Sequence, residues 1–255
     1  MSFRVVIPAR YHSTRLPGKA LRLVGGEPMI RRVYERACAS GAASVLIATD
    51  DERIVAACAG FGASAAMTRT DHASGTDRLA EVAGREQWPE DEIVVNVQGD
   101  EPLVDPANIA QVAALLANRP WAIVATLVTP ILDAQEYLDP NVVKAVMDEA
   151  GRALYFSRSP IPWHRALAGS GPDSDGDWVG AWRHIGLYAY RCRGLRRLST
   201  LPPSPPERSE RLEQLRALHF GLPIVVAPAA VVPGPGVDTE ADLARADAMW
   251  RSLNE

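Results

Sequence analysis

Cysteine is scarce: the 255 residues hold Cys38, Cys58 and Cys192, far apart and with no C-x-x-C pair to suggest zinc or a redox couple. A reducing cytoplasm is the expected compartment. Long apolar runs are missing too. The segments near Ile123 and Val225 are short and broken by Thr or Pro, and the N-terminus reaches Pro8 and Arg10 before any long apolar stretch, so neither a membrane span nor a secretory signal is expected. Positive charge is not in excess, because 27 Lys and Arg stand against 31 Asp and Glu. A formal net charge of -4 gives no global basic field for nucleic acid, and local basic patches must serve a local ligand. Internal repeats and low-complexity tails are absent as well.

What remains is a chain of 255 residues, 47% hydrophobic and 23% charged, long enough to bury a full core as one domain. Short apolar runs, "RVVIPA" to Ala9, "SVLIATD" to Asp50, "EIVVNVQGD" to Asp100 and "AIVATLV" to Val128, read as strands buried on both faces. Between them Ile30, Val33, Tyr34 and Ala37 fall at helical spacing, as do Ile109, Val112, Ala113 and Leu116. This alternation is the α/β rhythm, in which ligands collect beyond the carboxyl ends of the strands. Those ends carry Arg10, Asp50 with Asp51, and Gln98-Gly99-Asp100-Glu101.

After Thr129 shorter strands, "NVVKAVMD", "ALYFS" and "HIGLYAYR", predict a mixed-sheet extension with a mobile loop from Arg165 to Gly180. "PPSPP" at Pro202–Pro206 precedes an expected helix holding Leu212, Leu215 and Leu218. A final helix is expected after Asp238, with Thr239 as cap and Asp242 three residues on.

The loop "IPARYHSTRLPGKAL" follows the first strand, turns on Pro17-Gly18 and carries Arg10, Arg15 and Lys19, cations suited to phosphate. It is no familiar phosphate loop. There is no G-x-G-x-x-G after the first strand, and Gly18-Lys19 is followed by Ala20 and lacks the Walker glycine where Ser13 stands. Asp100, just past a buried strand in "VNVQGDEP", is placed either to bind Mg²⁺ or to cap a turn. Asp238, after a glycine-rich turn in "PGPGVDTEADL", has the same two readings. "DHASGTDRL" offers exposed amides at Ser74-Gly75 and the cation Arg78 to a base or phosphate, or simply caps a helix. His184 and Tyr188, four apart on a strand, share a face that points either into the core or into a pocket. Arg158, Glu213 and Gln214 are the remaining polar candidates.

These segments, taken in order with "IATDDERI", "MTRTDHASGTDRLAEV", "ALYFSRSPIPW" and "LEQLRAL", resemble the 3-deoxy-manno-octulosonate cytidylyltransferases, and the likeness runs nearly end to end. The resemblance implies a three-layer Rossmann-like mixed sheet of the nucleotide-diphospho-sugar transferase type. It also implies transfer of CMP from CTP to the anomeric hydroxyl of 3-deoxy-D-manno-octulosonate (Kdo), with release of pyrophosphate and a requirement for Mg²⁺. In the family's pattern Arg10 and Lys19 hold the triphosphate with Arg15 in support. Ala9, Ser74, Gly75 and Arg78 lie on the nucleotide side, and Asp100 and Asp238 are the metal ligands. Gln98, Arg158, His184, Tyr188, Glu213 and Gln214 surround the sugar acid, and residues 129–200 form a sugar-binding and dimerisation extension of one domain spanning 1–255. A homodimer without nucleic-acid or membrane partners is implied. Glu207-Arg208-Ser209-Glu210 departs from the pattern, which has a Lys or similar residue followed by an apolar one. The rivals are a cytidylyltransferase for sialic acid or 8-amino-Kdo and a non-catalytic nucleotide-binding regulator.

Overall fold

The computed structural model describes residues 2–72, 74–163, 165 and 180–253. Among them the chain runs β1 (Arg4–Ala9), β2 (Leu23–Val24), β3 (Glu27–Pro28), α1 (Met29–Cys38), β4 (Ser44–Thr49), α2 (Glu52–Gly60), β5 (Ala65–Met67), α3 (Gly75–Arg85), β6 (Ile93–Asn96), α4 (Pro106–Ala117) and β7 (Val124–Pro130). It continues with α5 (Ala134–Leu138), β8 (Lys144–Met147), β9 (Ala153–Ser157), β10 (Trp182–Arg191), α6 (Cys192–Thr200), α7 (Pro205–Glu210), α8 (Gln214–His219), β11 (Ile224–Pro228) and α9 (Glu240–Ser252).

The main sheet has the order β11-β7-β10-β6-β1-β4-β5, and β8 and β9 branch from β10. Strands β6, β1, β4 and β5 are mutually parallel, as are β7 and β11, whereas β10 runs antiparallel to both β6 and β7. The alternating side chains of β1 show why three layers form. Val5 and Ile7 pack with Ile30 and Val33 of α1, Ile54 of α2 and Ile109 of α4 on one face; Val6 packs with Leu79 of α3, Leu195 of α6 and Leu215 of α8 on the other. Because β1, β4 and β6 are parallel and in register, their carboxyl ends bring Arg10, Asp50 and Gln98 to one edge.

Strand β10 joins this sheet to the extension. Its first residues pair with β8 and its last with β6, while β7 flanks both parts. Its register with β7 jumps from Ile185 opposite Leu127 to Tyr188 opposite Thr126. Two extra residues therefore enter, an even number that preserves alternation. His184 and Tyr188 keep a common face, their ring centroids 5.3 Å apart.

One expected helix is instead two. The helix anticipated across Leu212, Leu215 and Leu218 is split into α7 and α8 by Arg211, whose φ of 54° ends α7. The expected loop from Arg165 to Gly180 lies almost wholly outside the described residues. Among the described residues no helix is long and apolar enough to cross a membrane.

A third apolar cluster fixes the active edge. Leu16, Val24, Met29, Leu103, Val237, Leu243 and Ala246 pack α9 onto the loop after β1. The turn after β6 approaches β1 so closely that a Cβ at Gly99 would lie 2.8 Å from the Pro8 carbonyl oxygen, which is backbone and unable to swing aside. Gly99→Ala is therefore expected to cost about 1–3 kcal/mol in urea denaturation, the usual penalty for forcing atoms into a packed site. An unchanged unfolding midpoint would contradict that close approach.

Candidate active site

Two clefts meet at the carboxyl edge. The first, about 450 Å³, is lined by Ala9, Arg10, Arg15, Lys19, Asp100 and Asp238 together with Pro8, His12, Ser13 and Thr14. The second, about 280 Å³, is lined by Ser74, Thr76, Asn96, Tyr188, Glu213 and Gln214 among others. Gly75 and Gln98 belong to both walls, so the clefts are neighbours in one crevice.

Lys19 is the centre of the first cleft. The chain reaches it through a left-handed turn at Gly18, φ 65°, which starts a short 3-10 turn over Lys19–Leu21. Its ammonium donates to Asp100 Oδ2 at 2.6 Å, to the Val237 carbonyl at 3.0 Å and to Asp238 Oδ1 at 3.0 Å. Arg15 Nη2 also lies 3.0 Å from Asp238 Oδ1. Burial works to lower the Lys19 pKa, but attraction to Asp100 and the hydrogen bonds to both acids outweigh it and hold the pKa above its ordinary value. Burial and the adjacent Asp100 charge push Glu101 up to about 8, so this neighbour is mostly protonated at pH 7.

The capping alternatives are answered by the neighbours of the two acids. Asp105 caps α4, and Thr239 with Asp242 forms the capping box of α9. The Asp238 backbone donates to Asp242, while the Asp100 carbonyl accepts from Val237 at 2.9 Å. Both side-chain carboxylates thus face the cations rather than a helix end. Arg10, which lines the same cleft, donates to the His72 carbonyl at 2.7 Å.

In the second cleft Ser74 both caps α3 and donates from Oγ to Glu213 Oε1 at 3.0 Å. Burial pushes the Glu213 carboxyl up, against the hydrogen bonds from Thr76 and Ser74. Burial likewise raises Tyr188, helped by Tyr190 and Glu213.

Three expected site residues stand behind the lining. Arg78 is fully buried and donates to Asp50 Oδ2 at 2.7 Å and to Thr68, bracing α3 and lining neither cleft. Arg158 donates from Nε to the Glu210 carbonyl at 2.7 Å and from Nη1 to the Pro140 carbonyl at 2.9 Å. His184 lies against Phe156 and Tyr188, with Nε2 at 2.9 Å from Thr126 Oγ1. Thr126 Oγ1 also lies 3.1 Å from the Ile185 carbonyl and 2.9 Å from the Leu187 carbonyl.

The unusual Glu207–Glu210 segment has clear work. Glu207 completes the capping box of α7 and pairs with Arg216. Glu210 accepts from Ser157 Oγ and from the Arg158 backbone, each at 2.7 Å.

A family profile described as cytidylyltransferase matches residues 4–224. The chain is 53% identical over 253 residues to the 3-deoxy-manno-octulosonate cytidylyltransferase of Thioalkalivibrio sulfidiphilus, across 99% of this chain and 100% of the relative. It is 57% identical over 242 residues to that of Chromohalobacter salexigens, across 94% and 93% of the two chains.

The chain belongs to the 3-deoxy-manno-octulosonate cytidylyltransferase family.

Its fold matches a solved CMP:2-keto-3-deoxy-manno-octonic acid synthetase complexed with CTP, with a TM-score of 0.88 and 44% identity over 99% of this chain and 100% of the other. A cytidylyltransferase from Leptospira borgpetersenii shares the fold at a TM-score of 0.64 and 16% identity, over 99% and 87% of the chains. In this family member the motif reading missed Pro8, His12, Ser13, Thr14, Thr76, Asn96 and Tyr190 as cleft residues. His12, Ser13 and Thr14 lie inside the quoted basic loop and were findable there. Asn96 was hidden in an apolar strand, where it is buried with Oδ1 unpartnered among the described residues.

Burial lowers the His184 pKa to about 3 from its usual 6.5, so the unfolded chain takes up a proton there that the folded chain refuses. Stability from this residue is complete above about pH 6.5 and falls as the pH drops toward 3. From pH 7 to pH 5 it is expected to account for a loss of about 1–2 kcal/mol. The excess loss in wild type over His184→Phe in urea titrations reads this directly; equal losses would contradict a neutral buried imidazole.

Proposed function

We propose that the chain transfers CMP from CTP to the anomeric hydroxyl of Kdo, releasing pyrophosphate and giving CMP-Kdo for lipopolysaccharide synthesis. The observation that carries this reading is the pair of clefts joined at Gly75 and Gln98, one lined by cations and paired acids, the other by hydroxyls, amides, tyrosines and the Glu213 carboxyl. A triphosphate suits the first. A hydroxyl-rich sugar suits the second.

Asp100 and Asp238 fit Mg²⁺ by donor chemistry: they are hard oxygen ligands on one ammonium, and Mg²⁺ takes one or two carboxylates and completes its shell with phosphate oxygens and water. When bound, the ion neutralises phosphate charge and lowers the pKa of the attacking hydroxyl. The protein's own part is alignment and charge. Lys19, Arg10 and Arg15 line the triphosphate cleft, where they bind the nucleotide and stabilise charge on the departing pyrophosphate. Gln98 and the Ser74–Gly75 turn, at the seam, hold the sugar hydroxyl beside the α-phosphate for in-line attack. Tyr188, Glu213 and Gln214 bind sugar hydroxyls. His184, packed behind Tyr188, supports that side chain, and Arg158 would have to leave the Glu210 and Pro140 carbonyls to meet a sugar carboxylate.

The extension fits a homodimer interface, since Leu132, Leu138, Leu154, Tyr155 and Trp163 are exposed within residues 129–200. Free cysteines and an intracellular nucleotide substrate favour the cytoplasm.

Pyrophosphate release with CTP, Mg²⁺ and a panel of Kdo, 8-amino-Kdo and sialic acid tests the reaction. Kdo is expected to be the preferred acceptor; a preference for another acid, or tight CTP binding without release, would overturn the assignment. Lys19→Ala is expected to cost roughly 3 kcal/mol, or about a hundredfold in turnover, in the range of lost charge-stabilising donors. Near-normal turnover would remove Lys19 from the chemistry. Leu154→Glu is expected to shift wild-type dimers toward monomers in sedimentation velocity, and a monomeric wild type would contradict the interface.

A further inference from the structure

The Lys19 ammonium has three protons and three acceptors, Asp100 Oδ2, the Val237 carbonyl and Asp238 Oδ1, all within 3.0 Å. Its hydrogen bonding is complete within the protein. The same contacts engage one oxygen of each acid assigned to Mg²⁺, so ammonium and divalent cation compete for the same atoms. Three features hold the lysine in this position. Its side chain is 16% exposed, the Gly18 turn fixes its backbone, and the cluster of Leu16, Val237 and Leu243 holds both sides of the contact.

Charge decides which state wins. With Lys19 and Arg15 facing Asp100 and Asp238, two positive charges already balance two negative ones. A divalent cation arriving alone would add two uncompensated positive charges beside Lys19, and Mg²⁺ gives up its waters reluctantly. A triphosphate changes this. Its oxygens offer the ammonium a new set of acceptors in the same cleft and bring the negative charge that a divalent cation needs.

We propose that Lys19 is an internal counter-cation that closes Asp100 and Asp238 to divalent cations until a nucleoside triphosphate draws the ammonium away. Lys19 thereby sets the order of binding, with the carboxylate-bound cation arriving with or after the nucleotide. This rests on the assignment of the two acids as cation ligands.

Free Mn²⁺ measured by electron paramagnetic resonance tests the order without turnover. In the absence of nucleotide, Lys19→Met is expected to bind one Mn²⁺ per chain at least tenfold more tightly than wild type. Lys19→Arg, which keeps the charge, is expected to stay weak, and Lys19→Met combined with Asp100→Asn is expected to lose the gain. Equal affinity in wild type and Lys19→Met would overturn the proposal.

A non-hydrolysable CTP analogue separates this failure from failure of the ligand assignment. If Asp100→Asn and Asp238→Asn leave Mn²⁺ binding unchanged even with the analogue, the acids are not ligands and the proposal falls with them. Should Lys19→Met not fold, the wild-type Lys19 ¹⁵Nζ resonance replaces it. The analogue without metal is expected to shift that resonance, and an unshifted signal would overturn the proposal.

Discussion

One ammonium ties together parts of the chain that are remote in sequence. Lys19 meets Asp100 across 81 residues and Asp238 across 219, and the carbonyl before Asp238 completes the set. None of these residues can reach the others unless the sheet has brought the ends of β1 and β6 to one edge and α9 has packed against the loop between them. The contact is therefore a consequence of the whole fold. Once formed, it defines the site, because it gathers opposite charges in a cleft of a size suited to a small anion.

The surrounding structure keeps those charges in place by assigning other tasks to other residues. Asp105, Thr239 and Asp242 serve the helix ends, so Asp100 and Asp238 are not drawn into capping. Arg78 is buried against Asp50 and supports the start of α3, whose first residues form the seam between the clefts. The reversed strand β10 does the equivalent work beside the second cleft: its even bulge keeps His184 and Tyr188 on one face, and its pairing with β8 attaches the extension. Glu210 then secures Ser157 and Arg158 at the end of β9. Held by these contacts, the charged groups of the crevice are preorganised, while Asn96 Oδ1 on its wall is left without a partner among the described residues.

Much of this was legible in sequence because it depends on local pattern. Apolar runs ending in Arg10, Asp50 and Asp100 gave the parallel strands and their active edge, and the Thr239-Asp242 spacing gave the last helix. The split between α7 and α8 was not legible, since a left-handed Arg211 carries no strong residue signature, unlike glycine. The partner of Arg78 was not legible for another reason. Its position after Ser74-Gly75 resembles an anion site, but helical geometry turns its guanidinium inward to Asp50. Nor could spacing reveal that Lys19 would lie on the two acids, because such a contact depends on three distant segments. For residues whose local sequence supports several readings, Glu213 and Gln214 among them, the proposed roles rest on family resemblance.

The central claim is that the basic loop and the two aspartates act on one metal-loaded triphosphate. Anomalous diffraction from crystals grown with Mn²⁺ and a non-hydrolysable CTP analogue tests it most directly. The account predicts a manganese peak about 2.0–2.3 Å from oxygens of both Asp100 and Asp238, with the Lys19 ammonium on phosphate. Manganese held by the phosphates alone, with Lys19 still bridging the two acids, would contradict it.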